Sequence, residues 1–339
     1  MKIAMLSPIA WRTPPRHYGP WELVASNLTE GLVAKGHEVT LFATADSLTS
    51  AELDAVCPRP YAEDDAVDAK VWESLHISNL MENADRFDIV HNHFDFLPLT
   101  YSRLISVPMV TTIHGFSSED IVPVYRKYDD IATYISISDA DRHPDLNYER
   151  SIFHGIDAQK FQFNGDKEDY LLFFGRIHPD KGAREALRIA EKAGYRLIMA
   201  GLVQDAAYFE EYILPKVDGK KVIYLGNVNQ KKGSELLGRA TALLHPIAFD
   251  EPFGLSVAEA MMCGTPVIAY NRGSMPELIE DNTTGFLVKT VEDAALAVEK
   301  AKSLDFEYIR EYALNKFGME RMVEEYVEVY EEVLLKRES

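Results

Sequence analysis

Glu251-Pro252-Phe253-Gly254-Leu255-Ser256-Val257-Ala258-Glu259-Ala260-Met261-Met262-Cys263-Gly264-Thr265-Pro266-Val267-Ile268-Ala269 is the stretch whose reading decides the fold. A short apolar run at 242–245 precedes it and a second, at 266–269, closes it. The segment between them reads as a loop and a helix joining two buried parallel strands. Gly254 lets the backbone approach a ligand closely, and the amides of Phe253, Gly254 and Leu255 at the start of the helix suit an anion. Glu251 lies on the entering loop and projects beyond the helix start. Glu259 follows a little over two turns later, deeper along the same element.

The same rhythm of short apolar runs and amphipathic stretches extends in both directions. Strands are expected at 2–6, 38–43, 89–92, 109–113, 134–136 and 151–154, then at 170–174, 195–200, 221–225, 242–245, 266–269 and 286–288. Strands alternating with helices define an α/β class with parallel sheets. The first helix is expected over 20–34, with Pro20 tolerated in its opening turn and Gly36 closing it. A polar stretch at 163–169 reads as a linker. It divides the chain into residues 1–163 and 164–318, two doubly wound domains facing across a cleft lined by the carboxyl ends of their strands. Residues 319–339 form a last helix expected to cross back to the first domain, with Val323, Tyr326, Val327 and Tyr330 as its buried stripe.

Composition excludes several classes of function. The chain has 339 residues, 47% hydrophobic and 26% charged, which suits a globular protein of two domains. Its net charge of -19 is spread over both halves and repels phosphate backbones and anionic headgroups, so neither nucleic-acid binding nor membrane docking is expected. Cys57 and Cys263, far apart and without CxxC spacing, indicate neither a disulfide framework nor a cysteine zinc site, and fit a reducing cytoplasmic compartment. No signal peptide or run of about 18 apolar residues is legible. His91 and His93 fall on one side of a strand as metal ligands could, but no matching Cys or carboxylate signature supports zinc. Asp139-Ala140-Asp141 after Ser138 reads as a capped helix start rather than a metal-binding acid pair.

The 251–269 segment resembles the glutamate-pair motif of retaining family-4 glycosyltransferases of the GT-B fold. Leu172-Phe173-Phe174-Gly175-Arg176-Ile177-His178-Pro179-Asp180-Lys181-Gly182 is similar to the family's entry into its second domain. Ser274-Met275-Pro276-Glu277-Leu278-Ile279, Thr284-Gly285-Phe286-Leu287-Val288 and His154-Gly155-Ile156-Asp157 follow the pattern, His154 standing where the family usually has Asn. In the first half Gly31–Val39, Asp88-Ile89-Val90-His91-Asn92-His93 and Thr111-Thr112-Ile113-His114-Gly115 also match, so the resemblance covers nearly the whole chain.

It implies a hexosyltransferase that carries a sugar from a nucleotide donor to a hydroxyl of a small soluble acceptor. UDP-glucose is the preferred donor and GDP-mannose the second choice. His114 and Glu251 would be catalytic. Gly19, Arg176, Lys181, Phe253, Gly254, Leu255 and Glu259 would bind the donor. Arg176 and Lys181 can neutralise the diphosphate as its charge grows, so no metal and no cofactor is expected. Glu259 suits a ribose diol, since one carboxylate accepts two hydrogen bonds. The loop after the first strand departs from the family's Gly-Gly pair, reading Tyr18-Gly19-Pro20-Trp21-Glu22, and Pro20 has no N–H to offer a phosphate. Arg12, Arg16, His17, Tyr18 and His93 are the acceptor-side candidates. Two other classes share the architecture: a nucleotide-sugar 2-epimerase, and a non-catalytic sensor that would not need the Glu251/Glu259 pair.

Overall fold

The computed structural model describes residues 1–116 and 118–338 and divides the chain into two units. One comprises Met1–Gly155 with Met319–Ser339, the other Ile156–Gly318. The chain therefore passes between them at residues 155–156 and 318–319, rather than at 163–164. The polar stretch at 163–169 belongs to the second unit. The Asn164 amide donates to Cys263 O at 3.2 Å, Arg310 reaches Phe161 O, and Lys167 donates to Gly238 O and Thr265 Oγ1 at 2.8 and 2.7 Å. Polar residues marked this stretch as a linker, but their partners come from distant sequence.

The first unit holds a seven-stranded sheet. Its strands are β1 (Lys2–Leu6), β2 (Glu38–Phe42), β3 (Glu52–Asp54), β4 (Ile89–Asn92), β5 (Met109–Ile113), β6 (Thr133–Ser136) and β7 (Arg150–Ser151). They lie in the order β3-β2-β1-β4-β5-β6-β7, all neighbours parallel. This is the doubly wound order, whose reversal beside β1 opens a crevice at the carboxyl ends of β1 and β4. β3 was not anticipated: a short edge strand of Glu, Leu and Asp carries no apolar run to read. The expected strand at 151–154 is confined to β7, and Ile152–His154 leave the sheet. Ser138 accepts from the Asp141 amide at 3.1 Å, but a turn follows instead of a helix, with the Asp139 carboxylate taken by Ser151 and Arg142.

The C-terminal helix, Met319–Glu338, belongs to this unit and lies against the first helix, Pro20–Ala34. Met322, Val323, Tyr326, Val329, Tyr330 and Val333 form its buried face. Val327 is only half-buried, and Val329 takes the place assigned to it. Two tyrosines tie the helix to the sheet: Tyr326 pairs with Thr112 Oγ1 at 2.6 Å and Tyr330 with His91 Nδ1 at 2.5 Å. Gly31 is the point of close approach, since a Cβ there would meet Val323 Cγ2 at 2.3 Å. Gly31→Ala should therefore destabilise the protein by about 1 to 3 kcal/mol, although alanine is worth about 1 kcal/mol more than glycine inside an exposed helix. Urea unfolding measures it, and a variant as stable as the wild type would contradict this packing.

The second unit contains β8 (Glu168–Phe174), β9 (Arg196–Ala200), β10 (Val222–Tyr224), β11 (Ala240–His245), β12 (Val267–Tyr270) and β13 (Gly285–Val288). They lie in the order β10-β9-β8-β11-β12-β13, all neighbours parallel. Its reversal point falls between β8 and β11, which places the loops after those two strands side by side. Both sheets are covered by helices, so their strands bury both faces and read as near-continuous apolar runs. Among the described residues no helix is long and apolar enough to cross a membrane.

Candidate active site

In the second unit the loops leaving β8 and β11 bring Lys181 and Glu251 together, 70 positions apart in sequence. The Lys181 ammonium pairs with Glu251 Oε2, and His245 Nε2 stands 3.7 Å from the same oxygen. The ammonium also lies 4.7 Å from the centre of the Phe249 ring. Both members of the pair are largely buried, with side chains 14% and 13% exposed. Burial works against the charge on Glu251, yet His245 and Lys181 outweigh it and hold the carboxyl down at about 2. The backbone here is pinned: the Ser274 amide donates to Glu251 O at 3.0 Å, and a Cβ at Gly273 would fall 2.4 Å from the Glu251 nitrogen.

Gly254 caps the Leu255–Met262 helix with φ 97°, a conformation natural to glycine. The Val257 amide already bonds back to Gly254 O at 3.0 Å, so the helix-start amides that precede the first such bond are those of Leu255 and Ser256. Phe253 is a core residue, 2% exposed and edge-on to Phe317, so what it can offer a ligand is backbone. Glu259 lies along the helix, 7% exposed, and burial alone raises its carboxyl to about 8. The two glutamates thus differ by their surroundings: one is held ionised by a cation, the other held neutral by desolvation. Arg176 contacts Gln204 and stands 3.6 Å from Asp180. It does not join the Lys181–Glu251 pair.

In the first unit four histidines lie at the carboxyl ends of β4, β5 and β7. His91 lies on β4 one residue before Asn92 ends it, His93 follows β4, His114 follows β5, and His154 lies beyond β7. His93 Nδ1 lies 2.9 Å from His114 Nε2, and His114 Nδ1 lies 3.3 Å from His154 Nε2. Trp21 stacks on His114 with ring centres 5.4 Å apart and planes at 19°. Burial lowers the basicity of all four rings, reinforced at His114 by His154, His93 and His91. Among the described residues, no group of three or more His, Cys, Asp or Glu is arranged to hold a metal ion.

The loop after β1 is braced from within. Gly19 has φ 149°, and a Cβ there would meet Pro15 Cβ at 2.9 Å. Trp11 packs edge-on against Tyr18, and its amide donates to Glu22 Oε1 at 3.1 Å. Burial pushes the Glu22 carboxyl up to about 7, opposed by its own amide and by that bond from Trp11. Arg12 donates to Pro14 O at 3.0 Å, Arg16 pairs with Asp46 at 2.8 Å and with Glu63, and His17 is exposed. Sequence reasoning had not singled out Glu22, His245 or a role for His154. The departure of His154 from the family's Asn was the one visible signal.

Two family models match the chain, "Glycosyltransferase Family 4" over residues 22–145 and "Glycosyl transferases group 1" over 156–314. An uncharacterised glycosyltransferase of Methanocaldococcus jannaschii is 26% identical over 97% of this chain and 98% of its own length. A glycogen synthase of Mycobacterium tuberculosis is 26% identical over 90% and 86%. Among solved structures, AviGT4, a glycosyltransferase involved in avilamycin A biosynthesis, superimposes with a TM-score of 0.77 at 24% identity, covering 99% of this chain and 98% of that one. Anabaena HepE in complex with UDP-glucose gives 0.71 at 18% identity over 98% and 100%. At these identities the structures bear on the fold alone.

Proposed function

Because the chain belongs to the family-4 glycosyltransferases with the GT-B fold, we propose that it is a retaining hexosyltransferase using UDP-glucose, with GDP-mannose as second choice, and a small soluble acceptor. The observation that carries this reading is the Lys181–Glu251 pair at the end of β11, with Glu259 on the helix that follows. A donor diphosphate gains negative charge as the glycosidic bond breaks, so a fixed cation in its path favours the transition state over the ground state. Lys181 and Arg176 supply that cation, the amides after Gly254 take phosphate oxygens, and no metal or cofactor is needed. Glu251 takes the sugar hydroxyls, and Glu259, once ionised, the ribose diol. His114 is the first unit's catalytic residue. The UDP-glucose held by HepE, a protein of the same fold, supports the donor choice.

In the proposed step the bond from the anomeric carbon to phosphate oxygen breaks while the acceptor oxygen bonds that carbon on the same face. The hydroxyl proton passes to the leaving phosphate, so no protein nucleophile is required. The acidic surface, -19 overall, favours a soluble acceptor over one anchored among anionic lipids, and the two buried thiols fit a cytoplasmic setting. The test is incubation with UDP-glucose or GDP-mannose and a panel of sugars and polyols, with product read by NMR in the presence and absence of EDTA. We expect an α-linked glucoside formed at nearly the same rate in EDTA. A β-linked product would overturn retention, and loss of turnover in EDTA restored by manganese would overturn the metal-free site.

A further inference from the structure

We propose that His245 is a further residue of the donor-sugar site, where its buried Nε2 and Glu251 Oε2 together take one hydroxyl of the transferred sugar once Lys181 turns to the diphosphate. The proposal rests on the donor reading given above and adds a residue that reading does not use.

His245 is the last residue of β11, 6% exposed, and its Nε2 is buried without a hydrogen-bond partner. Glu251 Oε2 lies 3.7 Å away, beyond the reach of a direct bond. A buried ring nitrogen left in this state costs free energy that a partner would recover. The facing carboxyl is ionised, since His245 and Lys181 hold it at about 2 against the effect of burial. A bare ring nitrogen there would set its lone pair against a carboxylate, so it is the Nε2–H form that faces Glu251.

Donor and acceptor are 3.7 Å apart, and an oxygen about 2.8 Å from each closes that triangle. A hydroxyl satisfies both, accepting from Nε2–H and donating to Oε2. Without a donor sugar the Lys181 ammonium takes the same carboxylate oxygen. An ammonium on a flexible four-carbon stem can leave for a diphosphate while the backbone that carries it stays fixed. Here the backbone is locked: Gly182 has φ 73°, a Cβ on it would fall 1.9 Å from Pro246 O, and the Ala248 amide donates to Asp180 O at 2.7 Å. The segments after Lys181 and after His245 therefore hold each other in place. When the ammonium departs, the His245 N–H remains as a donor beside the Glu251 carboxylate, and the sugar hydroxyl fills the position that opens.

The test is calorimetric titration of UDP and UDP-glucose, with GDP and GDP-mannose in parallel, into the wild type, His245→Phe, His245→Ala and His245→Gln. His245→Phe keeps the bulk of a ring without its N–H, His245→Ala removes both, and His245→Gln returns an amide N–H. We expect His245→Phe and His245→Ala to bind the nucleotide sugar of the wild type about 10-fold more weakly and its nucleoside diphosphate within about 2-fold, with His245→Gln recovering most of the loss. Analogues of that nucleotide sugar, each lacking one sugar hydroxyl, locate the contact. One of them should bind the wild type at least about 10-fold more weakly and lose nothing further in His245→Phe, because the bond removed by the variant is already missing. Three results would overturn the role of His245 and leave the donor reading standing: wild-type affinity of His245→Phe for the nucleotide sugar, an equal loss of nucleoside diphosphate binding in His245→Phe and His245→Ala, or losses that add for every analogue. A wild type that binds none of the four nucleotides would overturn the donor reading and the role of His245 with it.

Discussion

Lys181→Met should destabilise the protein by about 3 to 5 kcal/mol at pH 7, because it strands the Glu251 carboxylate as a buried charge without its cation. Lys181 and Glu251 sit together with side chains 14% and 13% exposed, unlike the solvated ion pairs elsewhere on the surface. The pH dependence follows from how firmly the carboxyl is held ionised. Glu251 is held at about 2 against an ordinary 4.5, so the pair contributes stability that is fully present above about 4.5 and is lost as pH falls through 2. The penalty of Lys181→Met should shrink accordingly between pH 5 and pH 3. Adding Glu251→Gln to the variant should recover much of the loss, since a pair replaced on both sides leaves no orphan charge. Denaturant unfolding at several pH values measures all three. A penalty below about 1 kcal/mol, the range of an exposed pair, would remove the pair from the centre of the site. In turnover the same variant should lose a further ~10- to 150-fold through the missing charge-assisted bond to the diphosphate.

Glu259→Gln should move stability and nucleotide binding in opposite directions. The Glu259 carboxyl is raised to about 8 from 4.5 by burial. Below about 4.5 folded and unfolded chains both hold its proton. Between those values the folded chain keeps a proton that the unfolded chain releases, so stability falls as pH rises, and above about 8 the loss is complete. Each tenfold difference in proton affinity between the two states is worth about 1.4 kcal/mol, so the accumulated cost at pH 9 is on the order of 5 kcal/mol. Gln does not titrate, so the variant should match the wild type near pH 4 and exceed it by several kcal/mol at pH 9. If the carboxylate grips the ribose, UDP should bind the wild type more tightly as pH rises toward 8, and should bind Glu259→Gln about 10-fold more weakly at pH 9. Calorimetric titration of UDP at pH 7 and pH 9 reads the second half. A variant no more stable at pH 9 than at pH 4 relative to the wild type would show that Glu259 is solvated. Undiminished UDP affinity would remove it from the nucleotide site.

The second-unit motifs were legible because their residues are close in sequence and their geometry is local. Glu251, Gly254 and Glu259 fall on one loop and one helix, and helical spacing relates them without any tertiary information. The strands were legible because a parallel sheet covered on both faces needs apolar side chains on both, which writes a continuous run into the sequence. Where that condition fails, the reading failed: β3 is a partly exposed edge strand and went unseen. The C-terminal helix declared its apolar face, while the burial of Val329 in place of Val327 on that face was visible only in the packed structure.

Sequence alone determined the class of fold, the two-part organisation, and which residue types carry charge at the ends of which strands. Tertiary structure decided who meets whom. Lys181 meets Glu251 because β8 and β11 are neighbours at a point of reversed strand order, and no local pattern encodes that adjacency. His93, His114 and His154 meet because β4, β5, β6 and β7 are laid in sequence across the first sheet, and the winding brings their carboxyl ends together. The protonation of these groups was also a tertiary matter. A glutamate in the sequence is an acid of ordinary strength, and it becomes one held at about 2 or at about 8 only through the cation or the apolar wall that the fold sets beside it.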